Sequence, residues 1–219
     1  MDAAARSERT RVRQAAGRGV YDHDAIAAIL DEGLIAHVGV VADAQPYVIP
    51  MVYARDGDRL LLHGAPLGRL IGALAGGADV CVTVTLLDGV VLARSAFHHS
   101  MNYRSVVVIG RAHLIEDAQE KLSGFERIVE HLVPGRWAQA RQPNAGELTA
   151  TSLFGLPLLE ASAKIRAGPP IDATADYESG VWAGVIPALR TFGPPVADGR
   201  LAAGIAAPPN VASYRRPAH

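Results

Sequence analysis

The chain has little of what would place it outside a reducing, aqueous compartment. It holds one cysteine in 219 residues, Cys81, inside the apolar run Val80-Cys81-Val82. One thiol cannot close a disulfide within the chain or build a multi-cysteine metal centre, so a cytoplasmic protein is expected. An excess of charge is lacking too: 21 Lys and Arg stand against 22 Asp and Glu, a formal net charge of -1. Nucleic-acid binders concentrate cations on one face, and nucleic acid is not expected as a partner. No apolar stretch reaches the ~20 residues that span a bilayer, because Asp, Arg, Gly or Pro interrupts every run, so no membrane partner is expected. Residues 1–20 lack the apolar core of a secretory signal, and Arg6, Arg9, Arg11, Arg13 and Arg18 mark them as a flexible, solvated arm.

What is present reads as one domain, residues 21–190, followed by a Pro- and Ala-rich tail, 191–219. The mean hydropathy of +0.15 reflects abundant alanine, but it also leaves apolar surface that a subunit interface would absorb. Asp22 is placed to cap a helix carrying Ile26, Ile29 and Leu30, with Gly33 closing it. Strands are expected at 34–41, 46–53 and 59–63, with turns at Asp43-Ala44-Gln45 and Asp56-Gly57. In the second of these, Tyr47, Ile49, Met51 and Tyr53 share one face and Val48 and Val52 the other, so both faces need covering. A short helix over 64–77 should turn Leu67, Leu70, Ile71 and Leu74 inward. Strands at 80–87 and 90–97 flank Asp88-Gly89, read as a hairpin turn, and a further strand covers 103–115. Asp117 and Glu120 form a capping-box pattern before a helix, and the last strand is read at 156–167. Hairpin-linked strands with helices inserted late give a mainly β, α+β class: a closed antiparallel barrel with helical additions.

Three constellations carry chemistry. In His63-Gly64-Ala65-Pro66-Leu67-Gly68-Arg69 a strand end feeds glycines and an arginine into a helix start, which suits a phosphate; ordinary strand-to-helix turns share the same letters. Pro50 cannot donate to a ladder, so it marks an edge or interruption where backbone groups are open to a ligand. Phe97-His98-His99-Ser100-Met101-Asn102-Tyr103-Arg104-Ser105 packs donors between two apolar strands, either as a hydrogen-bonded barrel rim or as ligand contacts. A metal is not expected there, because adjacent His98 and His99 would face opposite ways on a strand and no third ligand stands nearby. Lys164 and Arg166 share a strand face, as edge charges or anion contacts, and Trp182 either covers the core or stacks on a planar group. Glu116, Asp117, Glu120 and Glu160 form no carboxylate pair, and Ser95, Ser100 and Ser105 have no Asp-His partner, which disfavours a hydrolase.

Pro46-Tyr47-Val48-Ile49-Pro50-Met51, Leu62-His63-Gly64-Ala65, Val80-Cys81-Val82-Thr83-Val84-Thr85, the run 98–106 and Ser162-Ala163-Lys164-Ile165-Arg166 together resemble the nitroimidazole-resistance branch of the pyridoxamine 5'-phosphate oxidase-like flavoproteins, over residues 9–187. The resemblance implies a Greek-key split β-barrel and a homodimer with FMN at the two-fold interface. It makes Arg69, with Gly64 and Gly68, the phosphate contact, and it sets Val48, Ile49, Pro50 and Met51 along the flavin ring. Ser100, Asn102, Tyr103, Arg104 and Ser105 become polar contacts, with Lys164, Arg166 and Trp182 coming from the partner chain. His63 matches a histidine beside the ligand in some relatives, and His63 or Tyr103 would relay a proton. The implied activity is an FMN-dependent oxidoreductase acting on a small conjugated substrate, with NAD(P)H as electron donor. The alternative is a flavin or haem module that carries, stores or senses, its haem version resting on His63, His98 and His99. The phosphate and substrate site is less basic than in vitamin B6 oxidases, so that reaction is not expected.

Overall fold

A computed structural model describes residues 7–216. Asp22 caps helix α1 (His23–Glu32) by accepting the Ala25 N–H at 2.9 Å, and Ile26, Ile29 and Leu30 are buried along one face. Gly33 follows with φ -67, so no left-handed conformation calls for glycine here. Space does: a Cβ would stand 2.5 Å from Val84 Cγ1 and 2.6 Å from the Tyr53 hydroxyl. Gly33→Ala is therefore expected to cost ~1–3 kcal/mol through overpacking, read as a lower midpoint of thermal unfolding.

Strands β2 (Ile35–Ala42) and β3 (Gln45–Asp56), which follow the short β1 (Gly19–Val20), join through Asp43 and Ala44 at φ 50 and 60, the conformation that matches the twist of a hairpin. β3 changes partner midway. Residues 45–52 pair with β2 and residues 53–56 with β4 (Arg59–Gly64), so 46–51 have a neighbouring strand on one side only. Tyr47, Ile49, Met51 and Tyr53 turn to the barrel core as the alternation predicts, Val48 faces outward, and Val52 packs on a second cluster.

Helix α2 (Arg69–Ala75) is shorter than expected. The Gly68 N–H bonds Ala65 O in a tight turn, which keeps Pro66 and Leu67 outside the helix and leaves Leu67 fully exposed rather than inward. The hairpin expected at Asp88-Gly89 does not form. β5 (Asp79–Leu92) runs straight through, with a register shift between Leu87 and Gly89. An Asp-Gly pair turns a chain only where continued pairing offers nothing better; here β6 (Ser100–Arg111) holds one edge and β10 (Gly184–Pro187) the other, and a Cβ on Gly89 would lie 2.9 Å from Ile186 O.

After β7 (His113–Leu114), Asp117 caps helix α3 (Ala118–Leu132) by accepting the Glu120 N–H at 2.8 Å. The return bond of a capping box is missing because the Glu120 carboxylate takes Arg59 at 2.6 Å. Helix α4 (Ala145–Thr149) was not foreseen. The single last strand is two, β8 (Ser152–Pro157) and β9 (Ala161–Arg166), separated at Pro157 by a 3-10 turn; β8 pairs with β4 and β9 with β6. The strand order β1-β9-β6-β5-β2-β3-β4-β8-β7, with β10 on β5, is an antiparallel split barrel with added helices, the α+β class expected. Its interior holds the main core, and α3 closes a second cluster of Ala54, Leu61, Ile115, Ile128 and Leu153 over β4 and β8.

The ends of the chain are tied down. In the predicted arm, residues 1–6 lie outside the described residues, but Thr10 is buried and the Val12 N–H donates to the Tyr21 hydroxyl at 2.8 Å. In the tail, which includes helix α5 (Pro209–Ala212), the Tyr214 hydroxyl donates to Leu132 O at 2.6 Å and Asn210 Nδ2 to Pro134 O at 2.8 Å. Arg216 donates to the carbonyls of Asp31, Gly33 and His131, a cation at the negative ends of α1 and α3. Residues 217–219 lie outside the described residues.

Candidate functional site

The unpaired edge of β3 and the start of α2, linked where Arg69 lies over the Tyr47 ring, outline a candidate groove. Val48 is 66% exposed and Pro50 is exposed beside it, whereas Ile49 and Met51 are turned into the core and offer the groove only their backbone. His63 ends β4 under the edge of α3, its ring edge-on to Phe125 at 6.2 Å between centroids. Burial pushes the imidazole below its ordinary value, so it is neutral at pH 7, and its buried Nδ1 has no hydrogen-bond partner. Such an orphan is uncommon in a folded interior and points to a group supplied from outside. Gly64 is required by space, since a Cβ would meet Ile71 Cγ1 at 2.8 Å. Gly68 precedes the first turn of α2, which no side chain caps. Arg69 lies exposed over the Tyr47 ring at 4.3 Å and has no carboxylate partner among the described residues. The helix is only seven residues long, so the attraction for an anion comes mainly from the Arg69 charge.

The other sequence candidates gather elsewhere. Ser105 stands opposite Lys164 and Tyr103 opposite Arg166 in the β6–β9 ladder, and the Ser105 hydroxyl donates to Lys164 O at 3.3 Å. Ser100 is half-buried opposite Val91. Asn102 is buried, accepts from Arg166 and donates to Gly168 O at 3.1 Å. Arg104 is fully engaged inside the chain, donating to Glu32 at 2.5 and 3.0 Å and to Asp88 at 2.8 and 3.0 Å, which removes it from the free ligand contacts. Trp182 is 66% exposed, its ring over Gly184.

β3 and β9 stand four strands apart in the sheet, as do β4 and β6. The two groups are therefore not ladder neighbours, although the curled sheet brings β6 against β8, the partner of β4. The outer face between them is apolar and open, with Ile35, Val41, Val48 and Leu87 each at least half exposed and Cys81 among them.

One cluster escaped the sequence reading. His98, Asp172 and Asp176 bring ligand-type atoms within 4.8 Å of one another. His98 and His99 lie at a 3-10 turn rather than on a strand, so the opposite-faces argument does not apply, and Asp172 is too far along the chain for local spacing to reveal it. Asp172 is already answered by Arg94, through its N–H at 2.9 Å and its guanidinium at 3.0 Å.

Residues 22–165 match the family described as Pyridoxamine 5'-phosphate oxidase. Among solved structures, the flavocytochrome Anf3 from Azotobacter vinelandii is 41% identical with a TM-score of 0.91, covering 96% of this chain and 98% of that one. The FAD and haem binding protein from Mycobacterium smegmatis is 35% identical with a TM-score of 0.85, covering 89% and 95%. A protein of Bacteroides thetaiotaomicron described as a 5-nitroimidazole antibiotic resistance protein is 25% identical with a TM-score of 0.57, covering 67% and 86%. No curated protein sequence matches the chain.

Proposed function

The chain belongs to the pyridoxamine 5'-phosphate oxidase family, and on that premise we propose that it is a flavin-dependent oxidoreductase that acts on a small conjugated substrate as a homodimer. The observation that carries this reading is the unpaired edge of β3 at Pro50 beside an arginine with no counter-charge among the described residues. In this reading Arg69 meets the flavin phosphate, and Val48, Pro50 and the backbone of 48–51 flank the ring. Tyr103, Ser105, Lys164 and Trp182 of a second copy complete the site across the outer face of β2 and β5. The relative from Mycobacterium smegmatis is described as an FAD binder, which makes FAD the first form to test and FMN the second. Bound flavin would supply the electron or hydride transfer. The chain's own part is to bind, orient and shield: Lys164 offers positive charge where negative charge develops, and neutral His63 can accept or pass a proton at Nδ1. The electron donor in this reading is NAD(P)H, and the compartment is the cytoplasm; no helix among the described residues is long and apolar enough to cross a membrane.

A haem reading is favoured by one specific feature. The buried, neutral, unpartnered imidazole of His63 fits an iron ligand, and two relatives are described as a flavocytochrome and an FAD and haem binder. His98 and His99 each have Nδ1 engaged at Ser95, which leaves Nε2 open in the way a ligating imidazole requires, but neither has a buried nitrogen without a partner, as His63 has. A coordinated imidazole cannot relay a proton, so His63→Ala separates the roles: loss of a Soret band marks a ligand, whereas an unchanged spectrum with slowed turnover marks a relay.

The decisive measurement is the visible spectrum of the untreated protein, with mass spectrometry of what it releases on denaturation. Neither a flavin band nor binding on titration with FMN or FAD would refute the proposal. Arg69→Ala should weaken flavin binding roughly 10- to 100-fold, the loss of one charged hydrogen bond.

A further inference from the structure

Arg166 carries a buried charge that no carboxylate among the described residues answers. The residue is 6% exposed, and its donors reach only neutral acceptors: Asn102 Oδ1, Gly168 O at 3.3 Å and Pro169 O at 3.2 Å. Its Nε is buried without any partner. Burial, reinforced by the Arg18 charge, pushes the guanidinium down from its ordinary value. An interior cation with dipoles but no counter-ion is costly unless an anion arrives from outside.

The same side chain lines a cleft of about 1060 Å3 at the open end of the barrel, between β5, β6, β9 and the segment leaving β10. Ordinary ligand pockets hold ~300–1000 Å3, so there is room for a sizeable molecule. Leu86, Ile165, Pro187 and Leu189 give it apolar walls. Its charged lining is four arginines, 104, 166, 190 and 216, against Glu32 and Asp88, which leaves two positive charges in excess. Arg104 is matched by both carboxylates, Arg216 is turned onto helix-end carbonyls and Arg190 reaches Glu32, its backbone oxygen at 3.2 Å and its carboxylate at 3.6 Å, so Arg166 is the cation left for a ligand.

We propose that this cleft binds an amphipathic carboxylate, its charged group on Arg166 and its apolar body along Leu86, Ile165 and Leu189. A guanidinium matches a carboxylate through paired N–H donors, and the walls select the apolar remainder. No histidine, cysteine or methionine lines the cleft, so it offers iron no ligand among the described residues; the carboxylates of a haem and those of a free organic acid nevertheless share the chemistry Arg166 recognises. Arg166 shares a face of β9 with Lys164 and stands opposite Tyr103, residues that the flavin reading brings to a second copy's cofactor, so the proposal is tested with flavin in place and after its removal.

The test is fluorescence titration of the full chain, as purified, with pyrenebutyrate and with its uncharged counterpart pyrenebutanol. The acid should bind saturably, one per chain, at least about tenfold tighter than the alcohol. Arg166→Met should abolish that preference. Leu189→Glu should weaken both probes, through the lost apolar wall, and the acid more, through the added carboxylate; because Leu189 is 85% exposed this variant keeps the test open if Arg166→Met fails to fold. Equal binding of acid and alcohol, or acid binding indifferent to Leu189→Glu, would overturn the proposal. So would acid that binds only after flavin has been stripped, because the cleft would then belong to that cofactor. One-for-one displacement of the probe by haemin would identify the carboxylates as haem's, whereas a Soret band rising with the probe still bound would identify a separate organic acid.

Discussion

Arg104→Ala is expected to lower the thermal midpoint by roughly 6–20 °C, the shift that ~3–5 kcal/mol produces in a chain of this size. The Glu32 side chain, at the end of α1, is 6% exposed and receives two bonds from Arg104, at 2.5 and 3.0 Å. The same guanidinium holds Asp88, and the two carboxylates push its pKa further above its ordinary value. Removing Arg104 would leave Glu32 charged, buried and nearly alone. Arg190 stands 3.6 Å from it but is 42% exposed, a weak substitute. The control is Arg104→Ala combined with Glu32→Gln, which removes the stranded charge and should recover most of the loss. Asp88→Asn alone should cost much less, because Asp88 keeps a third of its side chain in water. If Arg104→Ala melts within about 2 °C of the parent, the network is not a structural pin, and the arginine returns to the list of ligand contacts.

That network shows where sequence reasoning stops. The cap at Asp22, the closure at Gly33 and the hairpin at Asp43 and Ala44 were legible because each signal and its partner lie within a few residues. Pro50 and the run from His63 to Arg69 likewise mark, by residue type alone, an open strand edge and a turn into a short helix. The failures share a cause. Asp88-Gly89 carries a local turn signal that was outweighed by two strands, β6 and β10, supplied from far along the chain. The break between β8 and β9 and the counter-charges of Arg104 likewise depend on which distant elements become neighbours. The tail looked patternless because its anchors are single side chains, Tyr214 and Arg216, on helix-end carbonyls. The candidate site residues were read as one set, whereas their division into two groups four strands apart along the sheet follows from strand order, which spacing does not encode.

That division makes the second large effect predictable. Val41→Glu is expected to convert a dimer of twice the 23.0 kDa chain mass into a monomer, with flavin retention falling by at least about tenfold. Val41 is 63% exposed on the outer face of β2, next to a shallow hollow of about 380 Å3 that Val48, Cys81 and Ile109 also line. Each large apolar side chain covered by a partner contributes ~1.5–3 kcal/mol, and a carboxylate placed among several of them both removes one contribution and must be desolvated. Folding of the single chain should hardly change, because an exposed surface substitution usually shifts stability within ~0.5 kcal/mol. Val41 shares that hollow with Val48, so flavin loss counts for the second copy's Lys164 and its neighbours only where it appears together with the monomer. Light scattering and the ratio of flavin to protein absorbance read both quantities on one sample. A variant that stays dimeric would move the interface off this face. A variant that becomes monomeric yet keeps its flavin would show instead that one chain builds the whole site from the groove beside Pro50.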